Sequence, residues 1–214
     1  MANVIRIRFS KTGPLRFIGH LDFGRVFRQT IRRAKLPVAY SQGFNPHILL
    51  SFALPLPLGM ASLNDYADLT FENDIPLAEI QEKLNNNAPN GLTISKVYPI
   101  EGQRGAAAAI AADYALHFNI PPETINNILT AETLIVPKKT KSGIKDTDIR
   151  QDIINIWQYE AEIPYTTLRL SAGSSRFLNP LIVAELLLNE KPCISTLTRI
   201  ELYQSGGNEG LNPL

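Results

Sequence analysis

The sequence predicts an α+β fold made of two consecutive modules. Apolar and polar residues alternate along residues 3–9, which is the period of a half-buried strand. Residues 19–35 instead repeat their apolar positions at helical spacing. The same succession of strands, helices and Pro/Gly turns recurs less regularly after residue 113. We therefore expect the second module to be a degenerate structural echo of the first.

The first module, residues 1–100, is predicted to contain two helices among several strands. Pro37 ends the first helix, and Pro76 suits the first turn of the second. The predicted helices span 19–35 and 75–86, and the predicted strands span 3–9, 38–40, 48–54, 66–71 and 92–98. This order approximates the ferredoxin-like (split βαβ) plait, which is the architecture of many RNA-binding modules.

The second module, residues 113–204, follows a predicted linker at 101–112, although the alanines of that segment could form a short helix. Its predicted strands span 114–120, 133–137, 166–172 and 196–203, and its helices span 122–129 and 180–189. Residues 149–159 fit either a helix or a strand. The glycine-containing tail, 205–214, is expected to be disordered.

Composition excludes several kinds of chemistry. The single cysteine, Cys193, allows no internal disulfide and is too little for a zinc ribbon or an iron–sulfur cluster. We expect it to be a buried structural thiol, and we expect no metal and no cofactor. No apolar run suits a bilayer or a signal peptide, so the expected location is cytoplasmic, without a membrane partner.

Charge is concentrated at the start of the chain, although the net charge is only +1. The first fifty residues hold nine basic residues against one acid, a local charge of nine minus one, or +8. Such a surface attracts polyanions, of which RNA is the commonest large one in a cell. The predicted anion-binding residues here are Arg6, Arg8, Lys11, Arg16, Arg25, Arg28 and Arg32. The last three recur on one helix face, which could instead be an ordinary solvated face.

The segment from Ser41 to His47 is predicted to be a rigid recognition loop. Gly43 permits backbone conformations closed to other residues, and Pro46 restricts the exit of the loop. Phe44, Asn45 and His47 could then contact a base or a small ligand. Alternatively, Phe44 is a core plug in a simple turn.

His20, Asp22 and His47 are candidates for acid–base catalysis. Asp22 lies in the first helical turn, where an acid also serves as a cap or dipole partner. Two histidines and one aspartate are few ligands, so a metal site is not predicted.

A second basic segment lies between two predicted elements of the second module. Its candidate anion-binding residues are Lys138, Lys139 and Lys141. They could clamp phosphates and extend the basic surface of the first module. They could equally serve only to keep a hairpin tip soluble.

Several motifs resemble the uncharacterised bacterial family of radical-SAM-linked proteins. They are Phe-x-Gly-His-Leu-Asp, Leu-Pro-x-x-Tyr-Ser-x-Gly-Phe-Asn-Pro-His and Ser-Phe-Ala-x-Pro-Leu-x-x-Gly, all within residues 6–62. Ile48 stands where many members have proline, and Asp65 stands where many have glutamate. The resemblance implies a radical SAM protein as partner.

One cysteine cannot hold a radical SAM cluster, so any radical chemistry must belong to the partner. We therefore expect an RNA-binding accessory or specificity subunit, acting on tRNA or rRNA with a radical SAM enzyme. One alternative is a protein-interaction adaptor whose arginines bind an acidic face of that enzyme. The other is a stand-alone enzyme that uses His20, Asp22 and His47 on an anionic substrate.

Overall fold

The computed structural model describes residues 3–101, 108–140, 143–160, 162–174, 176–206 and 210–214. Within these ranges the chain forms four α-helices and a large mixed sheet, so the predicted α+β class is confirmed. No helix in the described part of the chain is long and apolar enough to cross a membrane.

The first half contains four strands and two helices. The strands are β1 (Asn3–Lys11), β2 (Leu50–Phe52), β3 (Ala61–Phe71) and β4 (Leu92–Pro99), and the helices are α1 (His20–Arg33) and α2 (Leu77–Asn87). A short 3-10 turn, Gly13–Phe17, connects β1 to α1. The strand predicted at 38–40 is wrong: Val38 and Tyr40 form only isolated bridges, to Phe71 and Ile48. Pro37 beside them has no N–H to contribute to a ladder.

The second half contains seven strands and two helices among the described residues. The strands are β5 (Ala111–Leu116), β6 (Ile135–Thr140), β7 (Gly143–Asp148), β8 (Ile153–Tyr159), β9 (Tyr165–Ser171), β10 (Leu197–Ser205) and β11 (Leu211–Pro213). The helices are α3 (Pro122–Thr130) and α4 (Pro180–Leu188). The ambiguous segment 149–159 is therefore mainly a strand.

Two predicted irregular segments contain ordered structure. In the predicted linker 101–112, Ala108 and Ala109 are buried and Ala111 begins β5, while residues 102–107 lie outside the described residues. In the tail predicted to be disordered, β11 pairs with the end of β10, and Leu214 is buried. Small apolar side chains allow the first segment to enter the core, and backbone pairing fixes the second.

One continuous sheet joins the two halves in the order β4-β1-β3-β10-β5-β9-β8. β2 also pairs with β3, so the strand order of the first half is β4-β1-β3-β2. The second half has the order β10-β5-β9-β8, in which each strand takes the place of its counterpart in the first half. The halves meet where β3 and β10 pair in parallel, Ala61 opposite Thr198 and Ser62 opposite Arg199. β6 and β7 form a separate hairpin.

A buried apolar cluster lies between the first half of the sheet and its helices. α1 and α2 contribute Phe23, Phe27, Ile31, Ile80 and Leu84, which belong to the same cluster as Ile5, Ile7 and Phe9 of β1. Because successive strand residues point to opposite faces, Arg6 and Arg8 lie on the face away from these helices. The burial pattern of β1 therefore determines which of its cations can reach a ligand.

Candidate functional site

Two of the predicted anion-binding residues are buried and already partnered. Arg6 donates to Asp68 through Nε at 2.7 Å and Nη2 at 3.0 Å. Lys11 donates from Nζ to the carbonyl of Ile18 at 2.9 Å, and its Nζ lies 4.9 Å from the centre of the Phe23 ring. Both side chains are covered in the structure, so neither is accessible to RNA in this arrangement.

Arg8 and Arg16 are half-buried and also hold the fold together. Arg8 pairs with Glu201 of β10, which also accepts a hydrogen bond of 2.6 Å from the Tyr66 hydroxyl. Arg16 donates to the carbonyls of Gly59 at 2.7 Å and Ser195 at 3.0 Å. Both arginines thus contact the second half of the chain, which the local sequence does not reveal.

The outer face of α1 carries the accessible cations, and we call Arg25, Arg28, Arg32 and Arg33 the α1 arginines. Arg25 forms a 2.8 Å pair with Asp22, and both side chains are exposed. Across the described ranges, the other three form no ion pair with an acidic side chain. Arg32 and Arg33 lie in the last helical turn, where the helix dipole favours cations. That dipole does not account for Arg28, in the middle of the helix.

The tip loop, Ser41–His47, is braced at its base. Ser41 N donates to the His47 carbonyl at 2.8 Å, and His47 N donates to Ser41 Oγ at 3.1 Å. The same hydroxyl lies 2.7 Å from His47 Nδ1. Gly43 adopts a φ of +123°, a conformation that favours glycine. These contacts join the two ends of the loop, Ser41 and His47.

Phe44, at the far end of the tip loop, is fully exposed to solvent. The alternative in which it plugs the core is therefore wrong. An exposed aromatic ring on a braced loop offers both faces to a ligand at little conformational cost, because the backbone is already ordered. Asn45 beside it is also exposed.

The three predicted acid–base residues are not brought together. Asp22 pairs with Arg25, His47 binds Ser41, and the His20 ring packs edge-on against Phe52 at 5.5 Å. In the described part of the chain, no group of three or more His, Cys, Asp or Glu side chains is placed to hold a metal ion.

A buried charged cluster lies beneath His20 and was missed by sequence reasoning. Asp65 pairs with Arg199 at 2.5 Å. Lys11 and His20 lie close enough to interact electrostatically with both of these charged groups. Burial raises the pKa of Asp65, whereas it lowers the pKa values of Lys11 and His20. The cavity among them is about 10 Å³, room for about one water, so it does not fit a substrate.

The second basic segment forms strands rather than a loop. Lys138 and Lys139 lie in β6, and Lys138 Nζ donates to the Phe177 carbonyl at 3.4 Å. Lys141 lies outside the described residues. The pairing with β7 makes this segment a two-stranded hairpin separate from the main sheet, and Val136 of β6 is buried in the core of the second half.

Cys193 is exposed, so the prediction of a buried thiol is wrong. Its Sγ lies 3.1 Å from Ser195 Oγ. Hydrogen bonds from the side chain and backbone of Ser195 lower the pKa of the thiol. The residue lies in the loop before β10, next to Ile194, which is packed against Gly59.

Comparison with known proteins places most of the chain in one family. The family model described as "Uncharacterized protein conserved in bacteria (DUF2344)" matches residues 4–180. No curated protein matches the chain. A solved structure titled "Crystal Structure of a Cbf5-Nop10-Gar1 Complex" is similar, with 10% identity and a TM-score of 0.42. The similarity covers 94% of this chain but only 48% of that one, about half its length, and it is too distant to bear on function.

Proposed function

The chain belongs to this uncharacterised bacterial family, and we propose that it binds RNA as an accessory or specificity subunit of an RNA-modifying enzyme. The observation that carries the proposal is the coexistence of accessible, largely unneutralised α1 arginines with a fully exposed Phe44 on a braced loop. Arginines contact phosphates, and an exposed aromatic ring stacks on a base.

The α1 arginines suit phosphates because most of their guanidinium groups are not consumed by internal ion pairs. The Arg28 side chain extends toward the N-terminus of α1 and lies over Gly24. Its Nη1 is 3.1 Å from the position that a Cβ atom would take at that glycine. Arg32 and Arg33 extend into solvent one turn further on. Lys35 follows them and is also exposed. Together with Lys35, these arginines concentrate positive charge at the C-terminal half of α1.

A radical SAM protein is the enzyme partner that we propose, on the strength of the sequence motifs alone. The chain has one cysteine, which is exposed, whereas a radical SAM cluster needs three thiolate ligands. The present chain would therefore supply RNA contacts, while its partner supplies the chemistry. tRNA and rRNA are the RNA classes that we would test first.

The decisive experiment is a titration of the whole chain into bulk tRNA and rRNA fragments at several salt concentrations. We expect log K to fall linearly with log salt, with a slope of about −0.7 for each phosphate contact on single-stranded RNA. Binding that is weak and independent of salt would overturn the proposal.

A second candidate function, a protein-interaction adaptor, is favoured by a separate observation. Phe17, Leu21 and Leu58 are large apolar side chains that are at least 60% exposed. Phe17 follows Arg16, and Leu58 precedes Gly59. Gly59 N donates to the Arg16 carbonyl and Arg16 Nε donates to the Gly59 carbonyl, each at 2.7 Å, so the backbone at Phe17 and Leu58 is held in place. Copurification of a partner protein without nucleic-acid absorbance, abolished by Leu21→Ser, would favour the adaptor over the RNA-binding subunit.

A further inference from the structure

A cavity of about 200 Å³ lies at the foot of the tip loop. Its apolar wall includes Val4 and Leu49, and its polar groups include His47, Ser51, Thr70 and Asp68, whose carboxylate is paired with Arg6. The volume greatly exceeds the roughly 10–15 Å³ that one water needs. The cavity therefore has room for a small organic group, unlike the space beside His20.

The cavity opens on the face of the sheet opposite α1 and α2. Val4 and Thr70 alternate along their strands with Ile5 and Leu69, which belong to the cluster beneath the helices. His47 belongs both to the cavity wall and to the base of the tip loop. His47 therefore connects the cavity, whose other walls come from β1 and β3, to the loop that carries the exposed Phe44.

Three polar groups on the wall are available to a ligand. Ser41 engages His47 at Nδ1, so Nε2 remains to donate or accept, depending on the tautomer. Within the described ranges, the hydroxyls of Ser51 and Thr70 have no side-chain hydrogen-bond partner. Apolar walls with a few convergent polar groups are typical of sites for small molecules.

We propose that this cavity holds a single unpaired nucleobase. The apolar wall would contact the faces of the ring, and His47, Ser51 and Thr70 would bind its polar edge. The inference deepens the RNA-binding proposal and rests on it, because the base is taken to belong to an RNA strand. A free nucleotide has the same base, and the experiment below separates the two sources.

The test fills the cavity without changing any cation. Ser51 is exposed in β2, so Ser51→Phe places a ring over the cavity at low risk to the core, and Ser51→Leu is a smaller second variant. Thr93→Phe, at an exposed position of β4, is the matched control. Binding of a short mixed-sequence single-stranded RNA and of each nucleoside monophosphate is measured for all four proteins.

We expect both Ser51 variants to weaken RNA binding by at least about tenfold, with an unchanged salt slope, while Thr93→Phe has no effect. The parent protein could instead bind mononucleotides but not RNA, with both Ser51 variants abolishing that binding. This result would support the cavity as a base site and overturn the RNA proposal. Equal RNA affinity in all four proteins overturns the cavity and leaves the RNA proposal intact. If the parent protein binds neither the RNA nor a nucleoside monophosphate, both the cavity proposal and the RNA proposal are overturned.

Discussion

Asp65 of β3 and Arg199 of β10 form a buried ion pair, 2.5 Å between Oδ2 and Nη2, where the two halves of the sheet meet. Arg199 Nη2 also donates to the Leu54 carbonyl at 3.0 Å. Arg199 therefore connects β10 to two neighbouring segments of the first half, the residues around Leu54 and strand β3. Its burial makes each partner dependent on the other, since an isolated charge in this environment would be costly.

Arg199→Met should lower the free energy of unfolding by about 3–5 kcal/mol, because it leaves the Asp65 carboxylate buried and unpaired. Urea unfolding followed by fluorescence measures the change. The double variant Asp65→Leu/Arg199→Met should recover most of the loss, since no charge then remains buried. A loss below about 1 kcal/mol in the single variant would contradict the assigned role of the pair.

Arg32→Glu should weaken RNA binding and reduce the salt slope by about 0.7 for each phosphate that the side chain no longer neutralises. Arg32 is exposed, so the free energy of unfolding should change by less than about 0.5 kcal/mol. Lys191→Glu makes the same charge change at an exposed position in the second half. If the two variants behave alike, net charge rather than the α1 arginines governs binding.

Phe44→Ala should leave stability unchanged, because the ring is fully exposed and makes no core contact. Loss of one stacked base should cost about 1–3 kcal/mol of RNA binding free energy. Ile163→Ala removes another highly exposed apolar side chain and serves as the control. Fluorescence anisotropy with labelled single-stranded RNA measures both. Undiminished affinity in Phe44→Ala would remove the stacking role.

His20→Gln should make stability less sensitive to acid. Burial lowers the pKa of His20 in the folded protein, so the unfolded chain binds its proton more readily. The neutral ring therefore contributes stability above the unfolded pKa of about 6.5, and this stability is lost as the pH falls below that value. Urea midpoints at about pH 7.5 and 5.5 should differ less in His20→Gln than in the parent. An unchanged difference would show that other groups dominate.

Cys193 should react with iodoacetamide in the folded protein, because it is exposed and its thiolate is stabilised by Ser195. Ser195→Ala should shift the pH dependence of the reaction toward that of an ordinary thiol. Mass spectrometry of the native chain follows the modification. Labelling that requires urea would mean that the thiol is protected.

The elements that depend on local pattern could be predicted from the sequence. The α+β class and α1 follow from periodicity and from the proline positions. The strand β11 could not be predicted, because its glycine-rich surroundings have little preference and its order comes from pairing with β10. The continuous sheet also depends on a parallel pairing between distant strands, for which no local signal exists.

In the candidate site too, residue types could be read from the sequence, but burial and partners depend on contacts between distant segments. Arg6 and Arg32 are chemically identical in the sequence, yet one is buried against Asp68, 62 residues away, and the other is exposed. The exposure of Phe44 likewise depends on how the tip loop leaves the sheet. The signal that could have identified Asp65 and Arg199 is the presence of charges at inward-facing strand positions, which need a partner when buried.

The pairing of β3 with β10 also makes folding depend on the order in which the chain is synthesised. Asp65 leaves the ribosome 134 residues before Arg199, so the first half can fold while its carboxylate still lacks the arginine. Until β10 arrives, the start of β3, which β2 does not cover, is an unpaired edge that can pair with strands of other chains. Closing so long a loop is slow, which makes this edge the position at which nascent chains are most exposed to misassembly.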